Sequence, residues 1–287
     1  MKLITLNTHS LIEDAYDSKL KEFVHVILRE QPEIFALQEV NQSLNMPETD
    51  EGLDVGFVPC EDLNIVLRRD NHALSVAKLL NEAGLNYFFT WIPIKLGYGI
   101  YEEGLAIFSR SQIVDSRQCF ISGIRDFNNW KIRKMLGIRV AAYENVWFYT
   151  AHLGWWDDEE EPFKNQWNMV TEAIDAVRHP NESYYILGDF NAPDRIKGES
   201  YEYVKQSGWY DTYQLADNKD DGITVGHVID GWHDRVDASL AETNGMRLDY
   251  IWCDKNIKVK TSNVICNGKK YKVVSDHYGV MIETYDN

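Results

Sequence analysis

Cysteine is scarce in this chain: Cys60, Cys119, Cys253 and Cys266 are its only four in 287 residues, and no two stand in a CxxC spacing. That excludes a disulfide framework or a zinc knuckle and fits reduced thiols in a reducing compartment. Long apolar runs are missing too, since none approaches the ~20 residues that span a bilayer. The stretch Met1–His9 turns polar too early for a secretory signal. The expectation is a soluble, cytoplasmic protein with no membrane partner. Basic runs are equally short. Lys131-Ile132-Arg133-Lys134 is the longest basic cluster, and 29 Lys+Arg against 45 Asp+Glu leave a formal charge of −16. Such a balance repels polyanions and argues against a stable nucleic-acid partner. There is no Ser/Gly linker and no repeat of fixed period, and the seven prolines and 18 glycines are scattered. One domain over residues 1–287 is expected, and a hydrophobic fraction of 44% is ample for its core.

What is present alternates between strand and helix patterns. Leu3–Asn7 reads as a strand, Leu20, Phe23, Val24, Ile27 and Leu28 as the face of an amphipathic helix, and Ile34–Leu37 as a buried strand ending at Gln38-Glu39. Residues 41–70 read as a long loop over the site. A helix is expected from His72 to Ala83, then strands at Tyr87–Ile92 and Leu105–Phe108. A hairpin follows from Ile138 to Ala151, turning at Glu144-Asn145. Trp167, Val170, Ile174 and Val177 mark a further helix, and Tyr184–Leu187 the next strand. After a long polar stretch from Ala192 to Gly245, strands are expected at Leu248–Trp252, Val259–Asn263 and Tyr278–Thr284. The pattern predicts an α/β protein with two packed mixed sheets flanked by helices, a single open doubly wound sheet being the alternative.

Polar residues gather at the strand ends. In Gly188-Asp189-Phe190-Asn191, alternation along an extended backbone sends Asp189 and Asn191 to one side and Phe190 into the core. An Asp beside an Asn can orient a water against phosphorus, although the same tetrapeptide reads equally as an Asx turn. In Ser275-Asp276-His277, a carboxylate adjoins an imidazole that can carry charge toward a phosphoryl oxygen. Glu39 and Asp249 are carboxylates at strand positions, costly to bury without a cation or donor.

Asn7, Glu39, His152, Asp189, Asn191, Asp249, Asp276 and His277, with Gly104–Arg110 and Thr150–Leu153, follow one another in an order that resembles the endonuclease/exonuclease/phosphatase superfamily. The resemblance spans nearly the whole chain. It implies a four-layered α/β sandwich and hydrolysis of a phosphate ester with Mg²⁺ or Mn²⁺. By the same resemblance Glu39 is the main metal ligand, with Asn7 and Asp249 near the ion. Asp189 aligns and deprotonates water, Asn191 holds the phosphoryl group, and His152 and His277 stabilise the transition state. Asp276 orients His277, and Glu103 pairs with His152.

The catalytic core does not name the substrate. Tryptophans in expected loops, Trp155, Trp156, Trp209 and Trp232, offer platforms for a sugar ring or a base. The acidic run Asp157–Glu161 repels a nucleic-acid backbone and can accept bonds from hydroxyls. Trp155, Trp156, His227, Trp232 and Arg235 are the expected substrate contacts, and Arg125, Arg133 and Lys134 further candidates for holding the phosphate. Within the superfamily the chain resembles the cytoplasmic branch containing maltose 6'-phosphate phosphatases, through its length and His152-Leu153-Gly154-Trp155-Trp156. The expected activity is therefore that of a phosphomonoesterase on a small sugar phosphate. A Mg²⁺-dependent nuclease and an inactive binding module are the alternatives.

Overall fold

In a computed structural model of the protein, which describes residues 1–61, 64–198, 200–226 and 245–285, strand β1 (Lys2–Asn7) leads through helix α1 (Tyr16–Glu30) into a parallel partner, β2 (Ile34–Ser43). Helix α1 buries Leu20, Phe23, Val24, Val26 and Ile27, the face its spacing predicts. Helix α2 (His72–Glu82) packs beside it, its first turn capped by the Asn71 side chain accepting the Leu74 N–H. The antiparallel pair β3 (Phe88–Gly97) and β4 (Tyr101–Ser109) then extends the sheet beyond β2.

A second sheet starts with β5 (Ile113–Phe120), β6 (Lys134–Val140) and β7 (Tyr143–His152). Helix α3 (Phe163–Asp175) returns the chain to β8 (Ser183–Asp189), which lies parallel to β7. Short elements follow: α4 (Ser200–Gln206), β9 (Tyr210–Asp211), α5 (Thr212–Leu215) and β10 (Ala216–Lys219). The last strands are β11 (Asp249–Cys253), β12 (Val259–Ile265) and β13 (Gly279–Thr284). One sheet has the order β10-β12-β13-β1-β2-β4-β3 and the other β5-β6-β7-β8-β11-β9. A single open doubly wound sheet is thereby replaced by two.

Three apolar clusters separate the layers. Leu3, Ile34, Ala36, Ile92, Leu105 and Ile107 of the first sheet meet Leu136, Ile138, Phe148, Leu187 and Ile251 of the second. The outer face of the first sheet packs Phe35, Phe89 and Phe108 against α1 and α2, and that of the second packs Trp147, Tyr149 and Ile186 against Trp167, Val170 and Ile174 of α3. This is the helix–sheet–sheet–helix sandwich expected from the sequence. No described helix is long and apolar enough to cross a membrane.

Four local readings change. Strand β2 does not stop at Glu39: Gln38 and Glu39 together oppose Leu105, a β-bulge, and pairing resumes at Val40 opposite Gly104. Within the stretch expected to loop over the site, residues 56–58 lie along the β3 edge, where Val58 N–H bonds the Phe89 carbonyl and Phe89 N–H the Gly56 carbonyl. The hairpin turns at Ala141-Ala142, because Val140 pairs with Tyr143. The polar stretch after Ala192 contains α4, β9, α5 and β10, elements too short for a periodicity to register.

Candidate active site

The sheet register assembles the site. His152 pairs with Asp189 across the parallel β7–β8 ladder, and Asp249 pairs with the same Asp189 across the antiparallel β8–β11 ladder, so three functional side chains stand abreast. The opposite sheet supplies Asn7 at the end of β1, Glu39 at the bulge of β2 and Glu103 on β4. His277 reaches the same place from just before β13. Gly188 is required here. Its φ is +152°, and a Cβ would lie 2.0 Å from the Ala151 carbonyl oxygen, a position where only glycine lets β7 and β8 approach. Phe190 points away into the outer core, as alternation predicts.

Asp189, 1% exposed, is the hub. Its Oδ1 accepts the Asn191 N–H at 2.8 Å and its Oδ2 the Asn7 amide at 3.1 Å. His152 Nε2 lies 3.5 Å and His277 Nε2 3.7 Å from Oδ2. The Asn7 amide also donates to Glu39 Oε1 at 2.9 Å, while its Oδ1 accepts the His9 N–H at 3.2 Å. One side-chain amide thus ties together carboxylates from the two sheets. Asn191, with a left-handed φ of 47°, donates its amide to the Leu153 carbonyl.

Two pairings differ from those the resemblance implied. His277 Nδ1 bonds Asp249 Oδ2 at 2.9 Å, so Asp249 orients the ring. Asp276 faces the other way: its carboxylate accepts from Ser275 Oγ, and its N–H donates to Glu13. Residues 275–277 form a bend in which the Ser275 hydroxyl accepts the His277 N–H and donates to Asp276, while the His277 ring bonds Asp249. Glu103 pairs with Lys95 at 3.0 Å, and the carboxylates beside His152 are Asp189 and Glu39, the latter at 3.9 Å.

These contacts set the protonation pattern. Burial pushes the Asp189 carboxyl up to about 6, with His277 opposing the shift and Asp249 adding to it. Burial, then the Glu103 and Asp276 carboxylates, push Glu39 up to about 7. Burial alone would lower His277, but Asp249 and Asp189 outweigh it and hold the imidazole well above its usual range. His152 moves the opposite way, held well below that range by burial and then by Arg133, Lys95 and His277. The two imidazoles therefore differ at neutral pH, His277 charged and His152 neutral.

Sequence reading missed Lys95 and undervalued Arg133. Arg133 is 5% exposed and donates Nη1 to the Trp130 and Ile132 carbonyls, while its buried Nε has no partner among the described residues. Burial lowers its pKa against the pull of Glu103, Asp189 and Glu39, yet a guanidinium, with an ordinary pKa above ~12, stays charged. Its neighbours in sequence read as a solvated basic cluster, which hid it.

The expected substrate contacts fare unevenly. Trp155 and Trp156 stack on each other at 3.8 Å and pack on Val225, Met246 and Leu248. Trp209 is a core residue set edge-on to Trp167, not an exposed platform. In the acidic run, Asp158 and Glu160 hold Lys131, and Glu161 accepts the N–H groups of Gly123 and Ile124. Arg125 and Lys134 lie over the Phe120 ring. His227, Trp232 and Arg235 lie outside the described residues.

The donor set fits a hard divalent cation. Asp189 and Asp249 bring carboxylate oxygens to within 4.8 Å of each other, and Asp249 Oδ1 is buried with no partner among the described residues. Burying several carboxylates together is costly until a cation neutralises them.

The model of the Endonuclease/Exonuclease/phosphatase family matches residues 4–277. No curated protein sequence gives a significant match. Among solved structures the chain is similar to an endonuclease/exonuclease/phosphatase family protein from Leptotrichia buccalis, with 28% identity, a TM-score of 0.83 and 100% of both chains covered. It is also similar to a mannosyl-6-phosphatase from Bacteroides thetaiotaomicron, with 16% identity, a TM-score of 0.64 and 100% of both chains covered. A humanized TDP2 of D. rerio is similar at 13% identity and a TM-score of 0.61, covering 100% of this chain and 99% of that one. The last two likenesses are of fold alone.

Proposed function

This chain belongs to the endonuclease/exonuclease/phosphatase family, and from that premise we propose that it is a divalent-metal-dependent phosphomonoesterase acting on a small sugar phosphate, of the kind exemplified by maltose 6'-phosphate. Members of the family hydrolyse phosphoester bonds and generally depend on a divalent metal. One observation carries the reading: Asn7, His152 and His277, from three separate strand ends, surround the buried Asp189 carboxylate, and the cation Arg133 is buried nearby.

Asp189, with its pKa near 6, takes the proton of the attacking water. His277, kept charged by Asp249, and neutral His152 donate to the phosphoryl oxygens as negative charge develops. Asn191 positions the phosphoryl group, and Arg133 and Lys95 add the positive charge that a doubly ionised monoester needs. Glu39 and Asp249 are the proposed cation holders, with Asn7 fixing Glu39 through its amide. A bound Mg²⁺ or Mn²⁺ supplies neutralisation of the phosphoryl charge.

Three considerations support a sugar phosphate over a polynucleotide. The formal charge is −16, a solved structure of the same fold is titled a mannosyl-6-phosphatase, and the exposed Asp157 directly follows the stacked Trp155 and Trp156, where it can accept from hydroxyls. The proposed test is phosphate release from hexose and disaccharide 6-phosphates, nucleotides and oligonucleotides with Mg²⁺, with and without excess EDTA. EDTA-sensitive release from the sugar phosphates, with DNA left intact, is the expected result. Rapid DNA cleavage with inert sugar phosphates would replace the phosphatase by a nuclease.

A further inference from the structure

Beyond Asn7 the chain leaves β1 and crosses the end of β2 in a backbone form that L residues seldom adopt. His9 and Ser10 take φ values of 47° and 39°, both left-handed, and Glu39 beneath them takes 53°. The β1–β2 ladder ends at Asn7 opposite Gln38, so the next backbone groups of β2 on that side have no strand to pair with. The Gln38 carbonyl still accepts the Thr8 N–H at 3.0 Å, with Thr8 Oγ1 at 2.8 Å beside it, and from Glu39 on side chains take the strand's place. Ser10 Oγ donates to the Glu39 carbonyl at 2.7 Å and accepts the Asn41 N–H at 3.1 Å.

Ser10 is 1% exposed, so little water can reach the groups it satisfies. A hydroxyl donates and accepts at once, which is what a carbonyl and an N–H two residues apart require of one atom. Its two bonds bracket Glu39 at the bulge opposite Leu105. The direction of the Glu39 carboxylate follows from that backbone, since a one-residue bulge re-aims the side chain it carries.

We propose that Ser10 is a positioning residue: by clamping the Glu39 carbonyl and the Asn41 N–H it locks the left-handed bulge that aims Glu39 at the divalent cation. The role rests on the functional reading above, because it matters only if Glu39 holds a cation. Ser10 itself touches neither substrate nor ion. It acts as residues behind metal ligands do, fixing orientation rather than donating to the metal.

Ser10→Gly tests this. Glycine adopts a φ of 39° without steric penalty, so the variant relaxes the backbone while deleting the hydroxyl. Wild type and variant are titrated calorimetrically with Mn²⁺ alone, and their melting temperatures are compared. The expected result is a Tm within a few degrees of wild type and a Kd for Mn²⁺ weakened roughly 10–100-fold. An unchanged Kd, whatever happens to Tm, overturns the inference and leaves the functional reading standing. Wild-type protein that binds no Mn²⁺ overturns the functional reading, and the inference falls with it. If the glycine variant fails to fold, hydrogen exchange of the Asn41 amide in wild-type protein decides: added Mg²⁺ should slow it, and exchange indifferent to Mg²⁺ overturns the clamp.

Discussion

Asp189 gathers partners on both carboxylate oxygens: the Asn191 N–H on Oδ1, and the Asn7 amide with His152 and His277 around Oδ2. Asp189→Asn keeps an oxygen for the Asn191 N–H but removes the basic atom and the negative charge. Turnover should fall by about 10²–10⁴, with a cooperative melt close to that of wild type. A variant that retains wild-type kcat would remove Asp189 from proton transfer. Asp249 and Asp276 show how finely roles are divided at this scale. Both stand near His277 in space or in sequence, yet only Asp249 bonds its ring, because the backbone turns Asp276 outward to Ser275 and Glu13. Adjacency in sequence was a poor guide to partnership, and strand register the better one.

At the scale of elements, β7, β8 and β11 act as a ruler. Their ladders place His152, Asp189 and Asp249 in one row, and that row depends on how closely β7 and β8 approach at Gly188. Gly188→Ala forces a Cβ to within 2.0 Å of the Ala151 carbonyl oxygen at a φ of +152°. The overpacking and the backbone strain together should cost about 3 kcal/mol or more, read as a lower urea midpoint. A variant as stable as wild type would mean that the two strands can separate without harm. The β2 bulge makes the complementary point. Ile34–Leu37 reads as a strand that ends at Gln38-Glu39, and nothing in that composition announces an extra residue, because the bulge is imposed by pairing with β4 and by the hydroxyls of Thr8 and Ser10.

For the molecule as a whole, the buried charges predict how stability without metal depends on pH. Glu39 is raised to about 7, His9 to about 9, and His277 well above its ordinary value. For His9 the carboxylates of Glu13, Asp276 and Glu39 overcome a desolvation that alone would lower it. A group with a raised folded-state pKa binds its proton more tightly when folded, so its contribution is lost as pH rises through that value. His152 and His72 are lowered, the latter to about 3, chiefly by burial, and they gain stability as pH rises toward 6.5. Below about 6.5 the lowered histidines therefore oppose the raised carboxylates, whereas above it only the raised groups still titrate. Metal-free protein should show a Tm that declines from pH 6.5 to 9, and Mg²⁺ should restore much of the loss at pH 8. A flat profile across that window, or no effect of Mg²⁺, would contradict the charge balance proposed for the site.

The alternation of apolar strands with amphipathic helices, and the polar groups at their tips, were set by the sequence alone, because side-chain periodicity and burial are local properties. Glu39, Asp189, Asn191, Asp249 and His277 stood out beside apolar runs, whereas Asn7 and His152 were singled out by an order of residues that resembles the family. Tertiary structure alone decided which of them meet. It gave His277 to Asp249, gave Glu103 to Lys95, drew Arg133 out of an apparently solvated run, and set Ser10 against a bulge 29 residues away. Those choices depend on strand register and on the separation of two sheets, quantities fixed only when segments distant in the chain pack against one another.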